Sequence, residues 1–154
     1  QGPGGSRAVP AADFFQGLFT VDLADNELIT AVRFAPVQAA AYAKLYQRAS
    51  RFAIVGVAAA LEISEGSMLR KRTIKSARIG LTGAVSHAIR LTGVEKALAG
   101  QPATADALAQ AAQGAGTDLA DVNADLHASE AYRRAMVQVF TTRALQEALD
   151  RLPG

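Results

Sequence analysis

The 154-residue chain contains no cysteine. That removes disulfides, thiolate zinc sites, cysteine-ligated iron–sulfur clusters and a cysteine nucleophile from the chemistry its side chains can carry, and it fits a reducing, cytoplasmic setting. Only two histidines occur, His87 and His127, too few for a histidine-rich metal site, so no metal is expected. Half of the residues are hydrophobic, with alanine and glycine supplying much of that, yet no apolar run approaches the roughly 18 residues a membrane helix requires. Nucleotide-cradling glycine motifs are missing as well. There is no G-x-x-x-x-G-K-[ST], and no glycine cluster has the G-x-G-x-x-G spacing after a strand. A net charge of +2 is too small to argue for a nucleic-acid partner.

The opening QGPGGSR has neither an initiating methionine nor a signal peptide. Residues 1–8 are expected to be a linker or remnant of a longer chain, and the domain proper is expected to run over residues 9–152. A chain of this length reads as one domain, able to bury about two-thirds of its unfolded surface without staples.

What is present begins with Val9 to Phe19, where Phe14, Phe15 and Phe19 cluster around Gly17. This predicts an irregular lead-in, with a short helical or extended piece, pinned to a core by its aromatics. Glu27 to Phe34 (ELITAVRF), rich in β-branched and aromatic residues and halted by Pro36, predicts a strand. In Tyr42 to Arg48 the period-two pattern places Tyr42, Lys44, Tyr46 and Arg48 on one face and Ala43 and Leu45 on the other. The following run, Phe52 to Ile63, lacks alternation and predicts a strand covered on both faces. Ser64 to Ser67, with Gly66, predicts the hairpin turn into a third strand over Lys75 to Leu81, in which Ala77, Ile79 and Leu81 share a face.

Helical signals follow. Thr92 and Glu95 have the spacing of a capping box for a short helix ending before Gly100. Thr104 is placed to cap a second helix that ends at Gly114, and Ser129 a third and longest. In the third, Tyr132, Met136, Val139 or Phe140, and Ala144 recur at three-to-four spacing. Strands first and helices after predict an α+β fold: a small three- to four-stranded antiparallel sheet with three helices packed on one face.

Arg70, Lys71 and Arg72, with Lys75 and Arg78 beyond, form the one local basic cluster. A phosphate grip and a solvated hairpin strand both account for it, and the lack of nearby aromatics for base stacking favours the latter. His127 reads as a loop residue, since no serine or cysteine nucleophile arrangement accompanies it. Asp125 reads as an acceptor for helix-start N–H groups. No catalytic residue is assigned. The face of Tyr42, Lys44, Tyr46 and Arg48 reads either as the wet side of an amphipathic strand or as a surface on which a flat ring packs while a cation reaches its oxygens.

Five blocks in order, ADFFQGLF, DNELITAVRF, AYAKLYQRASRFAIVGVAAAL, ARIGLTGAVSHAIRLTGVEKALAG and DLHASEAYRRAMVQVFTTRAL, resemble the C-terminal domain of the FAD-binding medium subunit of molybdenum hydroxylases. That family includes aerobic carbon monoxide dehydrogenase and the xanthine dehydrogenases. The resemblance implies a domain packed behind an N-terminal FAD-binding domain, which holds most of the flavin and is absent here. It implies, as partners, that domain in cis, a molybdopterin large subunit and an iron–sulfur small subunit, with electrons passing through the clusters to FAD. The holoenzyme would be an oxidoreductase; the isolated fragment would be non-catalytic and would hold no FAD. The matching strand is the one the family brings near the isoalloxazine, which makes Tyr42 and Lys44, then Tyr46 and Arg48, the flavin-proximal candidates. An acidic residue is common in the family directly before the F-A-I-V-like segment, whereas this chain has Arg51, so an acid-dependent contact at that turn is not expected, and altered flavin electrostatics or acceptor access is implied instead. The alternative is a stand-alone interaction or scaffold module of the same fold without flavin.

Overall fold

A computed structural model of the chain describes residues 1–65 and 72–152. Ahead of the main sheet lie a four-residue helix, α1 (Ala11–Phe14), and a short hairpin, β1 (Phe15–Gly17) with β2 (Thr20–Val21). The main sheet is antiparallel, in the order β3 (Ala39–Tyr46), β4 (Ala53–Ile63), β5 (Ile74–Thr82), β6 (Ile89–Arg90). Three helices follow: α2 (Thr92–Leu98), α3 (Ala105–Ala112) and α4 (Glu130–Asp150).

The sheet forms because β4 carries the right side chains on alternate positions. Val55, Val57, Ala59, Leu61 and Ile63 point one way and are buried, as are Ala39, Ala41 and Ala43 of β3 and Ala77, Ile79 and Leu81 of β5. Each fully buried Val, Leu or Ile contributes about 1.5–3 kcal/mol relative to exposure. Helix α4 lies across β3 and β4 on this face, α2 covers β5, and α3 bridges α2 to α4. The predicted α+β architecture, with helices on one face, is what the chain adopts.

One expectation about β4 fails. Its second face is open: Ala58 and Glu62 are exposed and Ala60 is only partly buried. The alternation was masked in sequence because outward positions on β4 are filled by alanine, which counts as apolar without needing burial.

The long helix is capped as predicted, with the Ser129 hydroxyl accepting from the Tyr132 N–H at 3.3 Å, and Thr104 caps α3 in the same way. The inward stripe of α4 is shifted from the expected one. Arg133, Val137, Phe140, Thr141, Ala144, Leu145 and Ala148 are buried, whereas Tyr132 is exposed. Arg133 causes the rotation. Its guanidinium donates to the carbonyls of Ile54 (2.8 Å) and Gly83 (3.1 Å) and pairs with Asp125 at 2.6 Å. Gly83 sits at φ 81°, where a Cβ would lie 2.5 Å from the Ala53 carbonyl oxygen, so only glycine fits this corner.

The capping box at Thr92 and Glu95 does not form; Leu91 is the N-cap, with no side-chain bond. Glu95 is drawn to the sheet instead. Its carboxylate accepts from the Ile79 N–H (2.8 Å) and from Arg90 (2.9 and 2.6 Å), because two-residue β6 is too short to pair the whole edge of β5. Gly100, at φ 77°, ends α2 as expected.

The predicted strand Glu27 to Phe34 is not one. Among the described residues it joins no named sheet, and Leu28, Ile29, Val32 and Phe34 are exposed. The phenylalanines do not pin the lead-in either: Phe15 and Phe19 are exposed, and Phe14 stacks edge-on against Phe15 at 5.2 Å. The lead-in does combine a short helix with extended pieces. Part of the Ser64 to Ser67 turn lies outside the described residues.

Leu61 is fully buried at the centre of the core, so Leu61→Ala is expected to cost about 2–5 kcal/mol in chemical denaturation, by lost burial plus a cavity. Asp125 is held below its ordinary value of 3.8, first by the His127 N–H and then by Ala128 and Arg133. A carboxylate depressed in the folded state stabilises it above its ordinary pKa, and that contribution is lost as pH falls through the lowered value. Asp125→Asn is therefore expected to weaken the fold near neutrality and to flatten its acid limb, read from denaturation midpoints across a pH series.

Candidate functional site

The outward face of the sheet is built in registered rows. Ala40 lies beside Ala60 and Ala60 beside Arg78; Tyr42 beside Ala58, Ala58 beside Gly80, and Gly80 beside Arg90; Lys44 beside Gly56 and Gly56 beside Thr82. The floor is therefore alanine and glycine. One rim is Tyr42, Lys44 and Tyr46 on the edge strand β3, and the other is Arg78 and Arg90. A shallow open depression lies on the arginine side, lined by Ala40, Ala58, Ala60, Gly80, Arg78 and Arg90, and Tyr42, Lys44 and Tyr46 do not line it.

Tyr42 owes its pose to a glycine. A Cβ on Gly56 would collide with the Tyr42 hydroxyl and would lie 3.0 Å from the Thr82 methyl, so the missing side chain lets the ring lie across β4. Gly56 is buried as a result, on a face that is otherwise open. The close approach that Gly56 permits is that of Tyr42 itself.

Lys44 and Tyr46 are held by the β3–β4 hairpin. Arg51 adopts φ 62° there, a conformation rarely used by residues other than glycine. It is held by its own N–H, which donates to the Gln47 carbonyl at 2.9 Å, and by the return bond from Gln47 N–H to Phe52. The twist aims the Arg51 carbonyl at Lys44, whose Nζ donates to it at 3.1 Å. The Arg51 guanidinium stacks on the Tyr46 ring at 4.8 Å from its centroid, a cation–π contact worth about 0.5–1 kcal/mol when exposed. At the position where an acid is common in the family, Arg51 organises the neighbouring lysine and tyrosine.

Three of the four singled-out residues share this face. Arg48 does not: β3 ends at Tyr46, and Arg48 stands exposed in the turn, so the period-two count carried it one step past the strand. Two members were missed. Arg78 entered only as part of the basic cluster, and Arg90 not at all, because their approach to Tyr42 depends on strand register. Arg90 is neutralised by Glu95 at 2.6 Å, whereas Arg78 has no ion pair among the described residues. Lys75 is the extra residue at the bulge between Glu62 and Ile63, and Arg70 and Lys71 lie outside the described residues.

The arrangement suits one side of a planar, electron-rich ligand: a flat apolar floor, two tyrosines, and cations at both rims. Among the described residues its one acid within the strands, Glu62, stands at the far end, beside Ser76. Asp125 and His127 lie elsewhere. The Asp125 carboxylate accepts from the His127 and Ala128 N–H groups at 2.9 and 3.0 Å, a turn leading into the α4 cap, so His127 is a loop residue as read from sequence. No group of three metal-ligating side chains occurs among the described residues. No helix among them is long and apolar enough to cross a membrane.

Residues 40–148 match the family described as CO dehydrogenase flavoprotein C-terminal domain. The chain is similar to the carbon monoxide dehydrogenase medium chain of Hydrogenophaga pseudoflava, 32% identical over 154 residues that are 98% of this chain and 51% of that one. It is also similar to the glyceraldehyde dehydrogenase medium chain of Sulfolobus acidocaldarius, 30% identical over 145 residues, 93% of this chain and 49% of the relative. Among solved structures it resembles carbon monoxide dehydrogenase from Hydrogenophaga pseudoflava lacking the Mo-pyranopterin moiety of its cofactor, with a TM-score of 0.83, 32% identity, and coverage of 98% of this chain and 51% of that one. The chain thus spans about half the length of the relatives it matches. With a one-sided sheet, three helices behind it and a family match over most of its length, the chain belongs to the CO dehydrogenase flavoprotein C-terminal domain family, the C-terminal domain of FAD-binding medium subunits.

Proposed function

We propose that this chain is the C-terminal part of the FAD-carrying medium subunit of a cytoplasmic molybdenum hydroxylase, and that its outward sheet face closes over the flavin. The observation that carries this is the alanine–glycine floor with Tyr42 laid across Gly56 and Lys44 beside it. A ring can approach such a floor to van der Waals distance, and Lys44 and Arg78 can meet its oxygens. Because the face is open, it supplies one wall; the rest of the flavin's binding energy comes from the N-terminal half of the subunit. FAD, when bound, supplies the electron chemistry. The residues of this chain orient the ring, exclude water from one side and place positive charge near it.

In this reading the subunit passes electrons that originate at a molybdopterin centre in a large subunit and travel through iron–sulfur clusters in a small one. In the same reading this domain contributes no catalytic group of its own. The reading of this fold as a scaffold module without flavin makes the opposite forecast for the same face.

In the full-length subunit, Lys44→Ala is expected to weaken flavin retention by about 10- to 100-fold, the value of one hydrogen bond from a charged group, with the melting temperature unchanged. Unaltered flavin content and reduction kinetics would favour the scaffold reading. Gly56→Ala is expected to displace the Tyr42 ring and loosen the flavin in the same assay. Residues 1–154 alone are expected to show no FAD binding at micromolar concentration in a fluorescence titration; binding at that level would contradict the division of labour between the two halves.

A further inference from the structure

We propose that residues 27–34 are an edge strand whose partner is the stretch of the full-length subunit immediately ahead of Gln1. The two run antiparallel, with the residue before Gln1 facing Ile29 and the one before that facing Thr30. This reading rests on family membership and is independent of the flavin wall.

Gln1 and Leu28 exchange both backbone hydrogen bonds. The backbone nitrogen of Gln1, a terminal ammonium in this chain, donates to the Leu28 carbonyl at 2.8 Å, and Leu28 N–H donates to the Gln1 carbonyl at 2.9 Å. That reciprocal pair is the hydrogen-bonded rung of an antiparallel ladder, and it fixes direction and register together. As the chain runs forward from Leu28 to Phe34, its neighbour runs backward from Gln1, so only residues ahead of Gln1 can extend the ladder.

The rung is held firmly. A tight turn joins Gly2 and Gly5 by two bonds of 2.9 and 3.0 Å. A side chain on Gly2 would press on Glu27 Cγ at 3.0 Å, so the glycine lets the two segments lie close. Arg7 then grips both Glu27 oxygens at 2.7 Å and Asp22 at 2.8 Å. Glu27 is held at about 2, well below the ordinary carboxylate range, by Arg7 and by the Ala24 N–H.

Beyond the rung nothing is paired. Among the described residues, no backbone hydrogen bond reaches residues 29–37. Leu28, Ile29, Val32 and Phe34 are 73%, 57%, 79% and 88% exposed. An extended run of β-branched and aromatic residues with free N–H and C=O groups is a template for a further strand, and contiguous exposed apolar side chains mark an interface. Pro36, lacking an N–H, ends the pairing before Ala39 enters the main sheet.

The occupant follows from the comparisons. The family match begins at residue 40, yet similarity to the carbon monoxide dehydrogenase medium chain covers 98% of this chain. Residues 1–39 therefore lie ahead of the family match but within the similarity to the relatives, and about half of each relative's length lies beyond this match. A second copy entering at Ile29 would have no rung to set its register, because Gln1 of the same chain already occupies it. In this arrangement the break between the two bodies falls at residues 36–38, not ahead of Val9.

The test uses the full-length subunit. The residue before Gln1 and Ile29 form a non-hydrogen-bonded pair, about 4.5 Å between Cα atoms, which is within disulfide range. With cysteine at the preceding residue, Ile29→Cys is expected to form an intramolecular disulfide on mild oxidation, while Leu28→Cys, pointing to the opposite face, is not. In the unmodified subunit, the amides of residues 29–34 are expected to exchange on the order of 100-fold more slowly than in residues 1–154 alone. Protection without the disulfide would overturn the register. Fast exchange in the full-length subunit would overturn the strand. Protection in residues 1–154 alone that rises with concentration, together with dimer formation, would assign the edge to a second copy and overturn the occupant. Each readout is independent of flavin content.

Discussion

Strand β4 is the constraint on which the rest of this structure depends. It pairs in register with β3 on one side and β5 on the other, and its inward side chains, Val55 to Ile63, are the surface onto which the helices fold. Because all three helices crowd onto that one face, the opposite face has to be presented outward. A sheet buried on one side only normally carries polar residues on the other. Here the outward positions are alanine and glycine, so the surface is neither core nor ordinary solvated strand.

That departure organises the candidate site. Small residues let another flat body approach the sheet, and the larger side chains stand at the margins, on β3 and along β5 and β6. The margins are themselves ordered by contacts outside the sheet: Arg51 in its left-handed turn ties down Lys44 and covers Tyr46, and Glu95 of α2 reaches back to hold Arg90. Arg133 performs the matching task behind the sheet, where it joins the end of β4 to the Gly83 corner and the Asp125 turn. Burying an arginine is tolerated because carbonyls and a carboxylate meet its guanidinium.

The leader behaves differently. None of residues 1–38 belongs to the buried core, although many are apolar. Its order comes from the Arg7 clamp and the Gln1–Leu28 rung, which are local and polar. Its hydrophobic groups remain outward, the reverse of what a segment folded onto this domain would show.

Much of the architecture was legible from residue pattern: the three strands, the Ser129 and Thr104 caps, and the stop at Gly100 all rest on local chemistry that the chain carries wherever it sits. The inward side of β5 was equally plain, since Ala77, Ile79 and Leu81 alternate with polar neighbours. Other features were decided by tertiary structure. Glu95 has the spacing of a capping residue, but an unpaired N–H on β5 competed for it. Arg133 interrupts the apolar stripe of α4 yet faces inward, because its partners arrive from residues 54, 83 and 125. Glu27 to Phe34 has strand-forming residues but, among the described residues, beyond Leu28 it has no backbone pairing. The sequence by itself determined which segments could be strands or helices and that Tyr42, Lys44 and Tyr46 share a side, since these follow from local periodicity. Only the tertiary structure placed Arg78 and Arg90 across from them over a floor of alanine and glycine, because strand register and one-sided helix packing are set by contacts between residues far apart in the chain.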